Sequence, residues 1–407
     1  MHQILSLYRN AFGGLSREAW LLAGVMFINR SGAMVVPFLS VYLTEALDFT
    51  LQQVGLLLSI FGVGSMCGTF LGGWLTDRIG HFKVQLLSLV LGGSWFFVML
   101  TLKQFELFAG GIFLLSLLTE CLRPANASSV SSYARPENVT RAFSLNRMAI
   151  NLGFSIGPAL GGVLASVSYQ WLFMADGITC LSAGALFFFY FRHRQGHTPP
   201  KADQPQDTQV VSPVPRSPYR DGLFLLFTVL CCFFAVAFFQ FFSTMPLYFR
   251  RVYQLSELEI GGLLAFNGMV VFLLEMIIVY LIGEKHALWK MIVLGLLLLA
   301  LSFVVLNLFQ GFWVLVLSVL LMSLSEILAM PFMSTLTVQR SGPHNRGAYM
   351  GLYSLSYSAA HILGPYIGTS TIAAYGFNTL WWGASVLCLM ATVGFYGVVQ
   401  RLQQSVD

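Results

Sequence analysis

Residues 141–162, RAFSLNRMAINLGFSIGPALGG, and residues 346–368, RGAYMGLYSLSYSAAHILGPYIG, are two copies of one pattern. Each copy begins at an arginine and contains a Gly-Pro pair, Gly157-Pro158 in the first and Gly364-Pro365 in the second. The offsets agree, since 346 − 141 = 205 and 364 − 157 = 207. Repetition of such restrictive residues at one spacing predicts two halves that share one architecture.

The composition places this duplication in a membrane. The chain has 407 residues, of which 57% are hydrophobic and 10% charged, whereas soluble domains have about 25% charged residues. Apolar runs recur, each near the roughly 20 residues that cross a bilayer as a helix. The predicted spans are 17–46, 52–75, 83–103, 106–133, 141–166, 171–192, 222–249, 257–282, 288–309, 311–336, 346–374 and 377–400. We therefore expect an all-α membrane protein with 12 transmembrane helices in two pseudo-symmetric six-helix halves.

The loops set the domain boundaries and the orientation. The predicted halves are residues 1–192 and 222–407, and a polar, proline-rich cytoplasmic linker at 193–221 joins them. The termini and the even-numbered loops contain 16 of the 22 Lys and Arg residues, against 3 on the opposite side. The positive-inside rule then places both termini in the cytoplasm. Compact loops favour a bacterial cytoplasmic (inner) membrane.

Several function classes are not expected. The basic loops explain the net charge of +5, so nucleic-acid binding is not predicted. The cysteines show no zinc or disulfide spacing, and the chain lacks a phosphate-binding loop of the Walker type. We therefore predict no enzymatic activity, no metal and no cofactor, with a proton gradient as the energy source. The expected partners are the lipid bilayer and a small-molecule substrate, with the protein as a monomer.

Three motifs carry a resemblance to a known family. Residues 73–83, GWLTDRIGHFK, resemble motif A of the major facilitator superfamily. Residues 122–127, LRPANA, are similar to motif B, whose arginine is Arg123 here. Span 5 resembles motif C through Ser144, Gly153 and the residues from Gly157 to Gly162. With the twelve spans and the repeat, the chain is similar over its whole length to this superfamily, and in particular to its 12-helix drug:proton antiporter group.

The resemblance assigns a gating role to the motif A loop. It implies that Asp77 meets the N-terminus of span 11, near Arg346, when the inner gate is closed. A carboxylate at a helix N-terminus is stabilised by roughly 0.3–1 kcal/mol, a suitable strength for a contact that must open. The candidate gating residues are Gly73, Asp77, Arg78, Gly80, Lys83, Arg141 and Arg346.

Glycines in spans 5 and 11 predict close helix packing. Gly153, Gly157 and Gly161 are four residues apart and line one helix face, and Gly364 and Gly368 do the same in span 11. Small residues allow close backbone approach in lipid, and the internal prolines bend the helix. This face could be a static packing surface or a sliding contact between the halves. The full set of packing residues is Gly153, Gly157, Pro158, Gly161, Gly162, Gly364, Pro365 and Gly368.

Ionisable residues at membrane depth are rare and costly, so each is a functional hypothesis. Glu120 and Arg123 are three residues apart and share a helix face, where they could neutralise each other. Glu326 has no basic neighbour on its own helix and is expected to be unpaired. Asp176 is expected to be a surface or cap residue. The candidate cavity residues are Asn29, Arg30, Arg123, Asn151, Gln240 and Glu326. The candidates for proton coupling are Glu326 first, then Glu275, Glu120 and His361.

These residues lead to a functional hypothesis with alternatives. Alternating access around a mid-membrane site, biased by protonation, is the expected mechanism. Motifs B and C favour proton-coupled efflux of amphipathic or drug-like molecules. Arginines at membrane depth alternatively favour uptake of a small anionic solute or peptide. A lysolipid flippase and a non-transporting receptor are the remaining alternatives.

Overall fold

The computed structural model describes residues 14–135, 139–193, 217–282, 287–341 and 346–404. The described residues form helices and contain no strand. In the first half these are α1 (Arg17–Ser31), α2 (Val35–Glu45), α3 (Leu51–Ile79), α4 (His81–Met99), α5 (Phe105–Glu120), α6 (Leu122–Tyr133), α7 (Val139–Val167) and α8 (Gln170–Phe191). In the second half they are α9 (Gly222–Phe238), α10 (Gln240–Ser243), α11 (Met245–Arg251), α12 (Glu257–Ile282), α13 (Leu288–Leu308), α14 (Phe312–Arg340) and α15 (Arg346–Gln404).

The helices follow the predicted spans closely. Among the described residues, eleven helical stretches are long and apolar enough to cross a membrane. Span 1 is divided into α1 and α2, span 4 into α5 and α6, and span 7 into α9, α10 and α11. Helix α15 has 59 residues and contains Gly376, whose φ of 82° and ψ of 175° are not helical. This break divides α15 into the predicted spans 11 and 12, which gives twelve crossings.

The chain forms two compact units. The first contains Met1–Val35 and Val63–Gln209, and the second contains Val36–Gly62 and Val210–Asp407. Residues 36–62, which belong to the first half by sequence, therefore group with the helices of the second half. The unit boundaries fall at the α1–α2 break and inside α3.

Helix neighbours are repeated in the two halves. Within the first unit, α1 packs on α7, and α4 packs on α8 and α5. Within the second unit, α9 packs on α15, and α13 packs on α15 and α14. In span numbers, the pairs 1–5, 3–6 and 3–4 are matched by 7–11, 9–12 and 9–10. The predicted duplication is therefore visible in the packing of each half.

The first helix of each half begins with a cap that also holds the end of the fourth span of that half. Ser16 Oγ accepts from the Ala19 amide at the start of α1 and donates to the Tyr133 carbonyl at the end of α6. Asp221 accepts from the Phe224 amide at the start of α9 and from Arg340 at the end of α14. The two caps occupy equivalent positions, since 221 − 16 = 205.

Glycine stripes bring helix backbones into contact, as the sequence predicted. A Cβ built on Gly157 would lie 3.3 Å from the Arg30 carbonyl oxygen, and one on Gly364 would lie 3.5 Å from the Val236 carbonyl oxygen. These contacts are equivalent, because 236 − 30 = 206 and 364 − 157 = 207. Pro158 and Pro365 lie inside α7 and α15, and Gly161, Gly162 and Gly368 are buried.

We expect Gly153→Ala to destabilise the protein and Gly24→Ala to leave it unchanged or slightly more stable. A Cβ on Gly153 would lie 2.7 Å from the Arg30 Cβ and 2.9 Å from the Ser31 amide nitrogen, whereas a Cβ on Gly24 meets nothing within 4 Å. Overpacking costs about 1–3 kcal/mol, while alanine improves helix propensity by up to about 1 kcal/mol. Thermal unfolding in detergent measures both, and equal melting temperatures would contradict this packing.

Candidate functional site

The break between α1 and α2 forms the centre of the polar region in the first unit. Helix α1 ends at Ser31, Gly32 follows as its cap, and α2 begins at Val35. The Ala33 amide donates to the Arg30 carbonyl at 3.1 Å, and the Met34 amide donates to the Gly32 carbonyl at 2.7 Å. The bent chain places Arg30 on the last turn of α1, next to backbone groups that have left the helix.

Asp176 on α8 caps the helix that follows this break. Its Oδ1 accepts from the Met34 amide at 3.0 Å and its Oδ2 from the Val35 amide at 3.1 Å. The residue is 3% exposed, so of the two roles expected for it, surface or cap, it has the role of a cap. The sequence did not identify which helix Asp176 caps, because the Val35 amide lies 141 residues away in the chain.

Arg30 lies in a cluster of opposite charges and an aromatic ring. Its guanidinium carbon is 5.3 Å from the centroid of the Phe154 ring on α7. Glu120 and Arg123 are both within electrostatic range of it, and they form the predicted ion pair, with 2.9 Å between Arg123 Nη2 and Glu120 Oε2. The three side chains together have a net charge of +1. The Arg30 Nε is buried and has no hydrogen-bond partner among the described residues.

Two further candidates of the first unit occupy different settings. Asn29 is buried, and its Nδ2 donates to Cys180 Sγ at 3.2 Å. It therefore joins α1 to α8, and its predicted place in a cavity stays a prediction. Asn151 is half-buried on α7, where its carbonyl accepts from Ser155 Oγ. Its role stays a prediction.

Gln240 is a structural residue of the second unit. It is 2% exposed, and its Nε2 donates at 3.0 Å to both the Val236 and the Gly364 carbonyls. Its Oε1 accepts from Thr244 Oγ1 at 2.9 Å. Its amide thus satisfies the backbone at the α9–α10 break, and the prediction that Gln240 lines the substrate cavity stays a prediction. At the equivalent break in the first unit, the Arg30 carbonyl accepts from the Ala33 amide and Asp176 accepts from the Met34 and Val35 amides.

Glu326 forms the polar centre of the second unit with residues of neighbouring helices. It is half-buried on α14, and the Asn267 Nδ2 on α12 lies 3.5 Å from its Oε2. The same Asn267 amide donates to Ser323 Oγ at 2.9 Å, and Tyr357 on α15 is within electrostatic range of Glu326. The expectation that Glu326 is unpaired is corrected: a neutral amide from another helix approaches its carboxylate.

The structure locates the other candidates for proton coupling, but their positions do not show which of them transfers protons. His361 is exposed on α15, and its ring stacks on Phe239 with 3.7 Å between centroids. Glu275 is half-buried on α12. Glu120 is buried beside Arg123. Their proposed roles in proton transfer stay predictions.

The motif A loop is a one-residue turn. Gly80 alone separates α3 from α4, and its φ of +87° is one that residues with a side chain rarely adopt. Asp77 and Lys83 are exposed, and the Arg78 guanidinium carbon lies 4.2 Å from the Trp74 ring centroid. Gly73 is half-buried, with nothing within 4 Å of a built Cβ. The side chains of Arg141 and Arg346 lie outside the described part of the structure, so the gating contact stays a prediction.

A cluster of charges in the second unit was not predicted from the sequence. Arg250 Nε lies 2.7 Å from Glu45 Oε1, and its Nη2 lies 3.3 Å from Glu257 Oε1. Its Nη1 donates to the Leu255 carbonyl at 3.0 Å. Glu45 lies at the end of α2, Arg250 near the end of α11, and Glu257 at the start of α12. These helix ends adjoin the loops that the sequence predicts to be on the outer side, where basic residues are few. The cluster was not recognised in the sequence because Arg250 and Glu45 are 205 positions apart.

The chain shares its sequence and its fold with known transporters. It is 24% identical over 88% of its length to 89% of a Na(+), Li(+), K(+)/H(+) antiporter of Planococcus maritimus. It is 24% identical over 40% of its length to 42% of the quinolone resistance protein NorA of Staphylococcus aureus. A solved POT family transporter in complex with 5-aminolevulinic acid has the same fold, with a TM-score of 0.81, 15% identity and coverage of 96% of this chain and 98% of the other.

The family model gives the assignment. The model of the Major Facilitator Superfamily matches residues 19–287 and 276–404, which together span almost the entire chain. The related proteins are transporters and not enzymes, and the apolar helices make this an integral membrane protein. The chain therefore belongs to the Major Facilitator Superfamily of membrane transporters.

Proposed function

We propose that this transporter is a proton-coupled antiporter that exports amphipathic, drug-like molecules by alternating access. The observation that carries the proposal is the half-buried carboxylate of Glu326, which lies in the middle of the long apolar helix α14, beside Asn267. A carboxylate in such a place is costly and is retained in membrane proteins for transport or proton transfer. Its protonation would remove a negative charge from the second half and thereby bias the direction in which the protein opens.

Relatives of this chain support the direction of transport. An antiporter of monovalent cations and protons matches over most of both chains, and a quinolone resistance protein matches over a shorter part. The aromatic rings beside the polar centre, Phe239 and Tyr357 with 6.3 Å between centroids, suit a flat apolar substrate. Both termini are proposed to lie in the cytoplasm, in a bacterial inner membrane.

Everted membrane vesicles test this function. A host without its own exporters would produce the protein, and a fluorescent quinolone or ethidium would report export. We expect accumulation inside energised vesicles, accompanied by proton release that a pH-sensitive acridine dye records. Collapse of the proton gradient with nigericin should stop accumulation. Accumulation that persists after collapse would contradict proton coupling.

Uptake of a small anionic solute is the second candidate. Arg30, Arg123 and Glu120 carry a net positive charge, and the Arg30 Nε has no partner among the described residues. A guanidinium suits a carboxylate ligand, and the similar POT family structure holds 5-aminolevulinic acid. Proton-driven entry of radiolabelled 5-aminolevulinic acid into right-side-out vesicles, without quinolone export, would favour this candidate.

The proposed cycle requires residues 36–62 to separate from the second-half helices. Glu45 pairs with Arg250, and Ser59 Oγ donates to the Ile362 carbonyl at 2.6 Å. The ion pair is about one-third exposed, and such pairs contribute less than about 1 kcal/mol. The Glu45–Arg250 ion pair is therefore weak enough to break when this contact opens during transport.

We expect Arg250→Gln to increase opening at this contact. A cysteine introduced at the buried Ser59 should react several-fold faster with a water-soluble thiol reagent, because one of the interactions that close the contact is lost. Lys103→Gln is the matched control, since Lys103 is also exposed on the predicted outer side. Equal labelling rates in the two variants would contradict a gating role for Arg250.

A further inference from the structure

The break in span 1 is held by α8 through two adjacent turns of that helix. Asp176 accepts from the amides of Met34 and Val35, and Cys180, one turn later, accepts from Asn29. Thr179 lies against Gly32, where a built Cβ would clash with its hydroxyl. Helix α8 therefore contacts the chain before, within and after the break, and Arg30 lies inside this stretch.

Asp176 is the strongest of these contacts. It is 3% exposed and accepts one hydrogen bond with each carboxylate oxygen. Hydrogen bonds from backbone amides to a carboxylate are charge-assisted and roughly twice as strong as neutral ones. The α2 N-terminus adds its dipole to this attraction. The carboxylate thus holds the backbone at Met34 and Val35 against α8, and so holds the stretch of backbone that presents Arg30.

We propose that Asp176 is a positioning residue for Arg30, and that it sets the affinity for substrate without contacting substrate itself. The inference rests on the proposed function and on the sequence-based prediction that Arg30 and Arg123 line the substrate cavity. Arg30 is held from the other side as well, since Gly153 and Gly157 on α7 approach its backbone closely. Loss of the cap would release the backbone on the α8 side of Arg30. The guanidinium would then no longer be held above the Phe154 ring.

Graded substitutions at Asp176 test this positioning role. Asp176→Asn can keep one of the two amide contacts, and Asp176→Ala keeps neither. For export of a fluorescent quinolone, we expect KM to rise by roughly tenfold in Asp176→Ala and by less in Asp176→Asn, since small misplacements at a site are costly. The maximal rate should stay within about twofold, because proton transfer at Glu326 is intact. Asp221→Asn is the matched control.

The control separates positioning from stability. Asp221 is also buried and caps a helix N-terminus, but it lies on α9 in the second unit. Asp221→Asn should lower the melting temperature and leave KM unchanged. If Asp176→Ala also lowers the melting temperature without raising KM, Asp176 is merely structural and the proposal is overturned. If Asp176→Asn is as severe as Asp176→Ala and shifts the pH profile, the carboxylate acts by titration and the proposal is equally overturned.

A second measurement does not depend on transport. In a variant that retains Cys180 as its sole cysteine, N-ethylmaleimide labelling reports how tightly Asn29 and α8 are held together. We expect Asp176→Ala to label Cys180 several-fold faster than the protein with Asp176. Unchanged labelling would overturn the positioning role even if quinolone export is observed. Faster labelling without quinolone export by the unmodified protein would leave the positioning of Arg30 supported and refute the proposed substrate class.

Discussion

Glu326→Gln is expected to abolish proton-driven export and to leave the protein folded. Glutamine has nearly the same shape, and its carbonyl oxygen can keep the contact with Asn267, which is 3.5 Å from the carboxylate. It cannot bind or release a proton, so gradient-driven accumulation should fall by roughly 10²-fold or more, as expected when a group that transfers a proton is removed. Substrate exchange that requires no net proton movement should continue.

Two measurements on vesicles separate these effects. Gradient-driven quinolone accumulation reports coupling, and counterflow between quinolone inside and outside reports binding and conformational change. Glu106→Gln, an exposed residue at the start of α5, is the matched control and should retain both activities. Full coupling in Glu326→Gln would refute its assignment, and loss of coupling in Glu275→Gln alone would move the role to α12.

Arg340→Ala is expected to cause the largest loss of stability. Arg340 Nε lies 2.9 Å from Asp221 Oδ2, and the two side chains are 9% and 4% exposed. Tyr349 donates to the same oxygen at 3.1 Å. Removal of one partner of a buried pair leaves an uncompensated charge and costs about 3–5 kcal/mol. Thermal unfolding in detergent, or retention of monomer after heating, measures this loss.

Arg123→Ala provides the comparison, because its ion pair with Glu120 has the same 2.9 Å separation while the arginine side chain is 66% exposed. Exposed pairs contribute about 0.2–1 kcal/mol. Arg123→Ala should therefore lose much less stability than Arg340→Ala. Equal destabilisation would show that burial does not decide the strength of these pairs. The comparison uses two arginines of one chain and changes the same number of atoms.

The Asp221–Arg340 pair also predicts a dependence on pH. Burial would raise the pKa of Asp221, but hydrogen bonds from Arg340, the Phe224 amide and Tyr349, with the arginine charge, lower it overall. A lowered pKa in the folded state contributes stability above the ordinary aspartate pKa of about 3.9, and this contribution is lost as the pH falls below it. The difference between the protein and Arg340→Ala should therefore be greatest near neutral pH and narrow in acid.

The sequence determined much of the fold because lipid restricts the possible solutions. A chain in hydrocarbon must satisfy its backbone within helices, so apolar run length alone located twelve spans. The duplication was readable because glycine and proline positions are restrictive, and the equivalent contacts of Gly157 and Gly364 with Arg30 and Val236 confirm it. The Glu120–Arg123 pair was predictable because helical spacing brings residues three apart onto one face.

Only the tertiary structure decided which polar residues are occupied by packing and which are available for chemistry. Gln240 and Asn29 were predicted to line a cavity, yet both amides bind groups on other helices. Asp176 was expected to be a surface or cap residue, and it is a buried cap that holds the α2 N-terminus from a distant part of the chain. Spacing along one helix identifies neighbours on that helix, whereas a partner from another helix depends on how the helices pack. The local sequence therefore determined the helices and their repetition, and the packing between them determined the roles of the buried polar side chains.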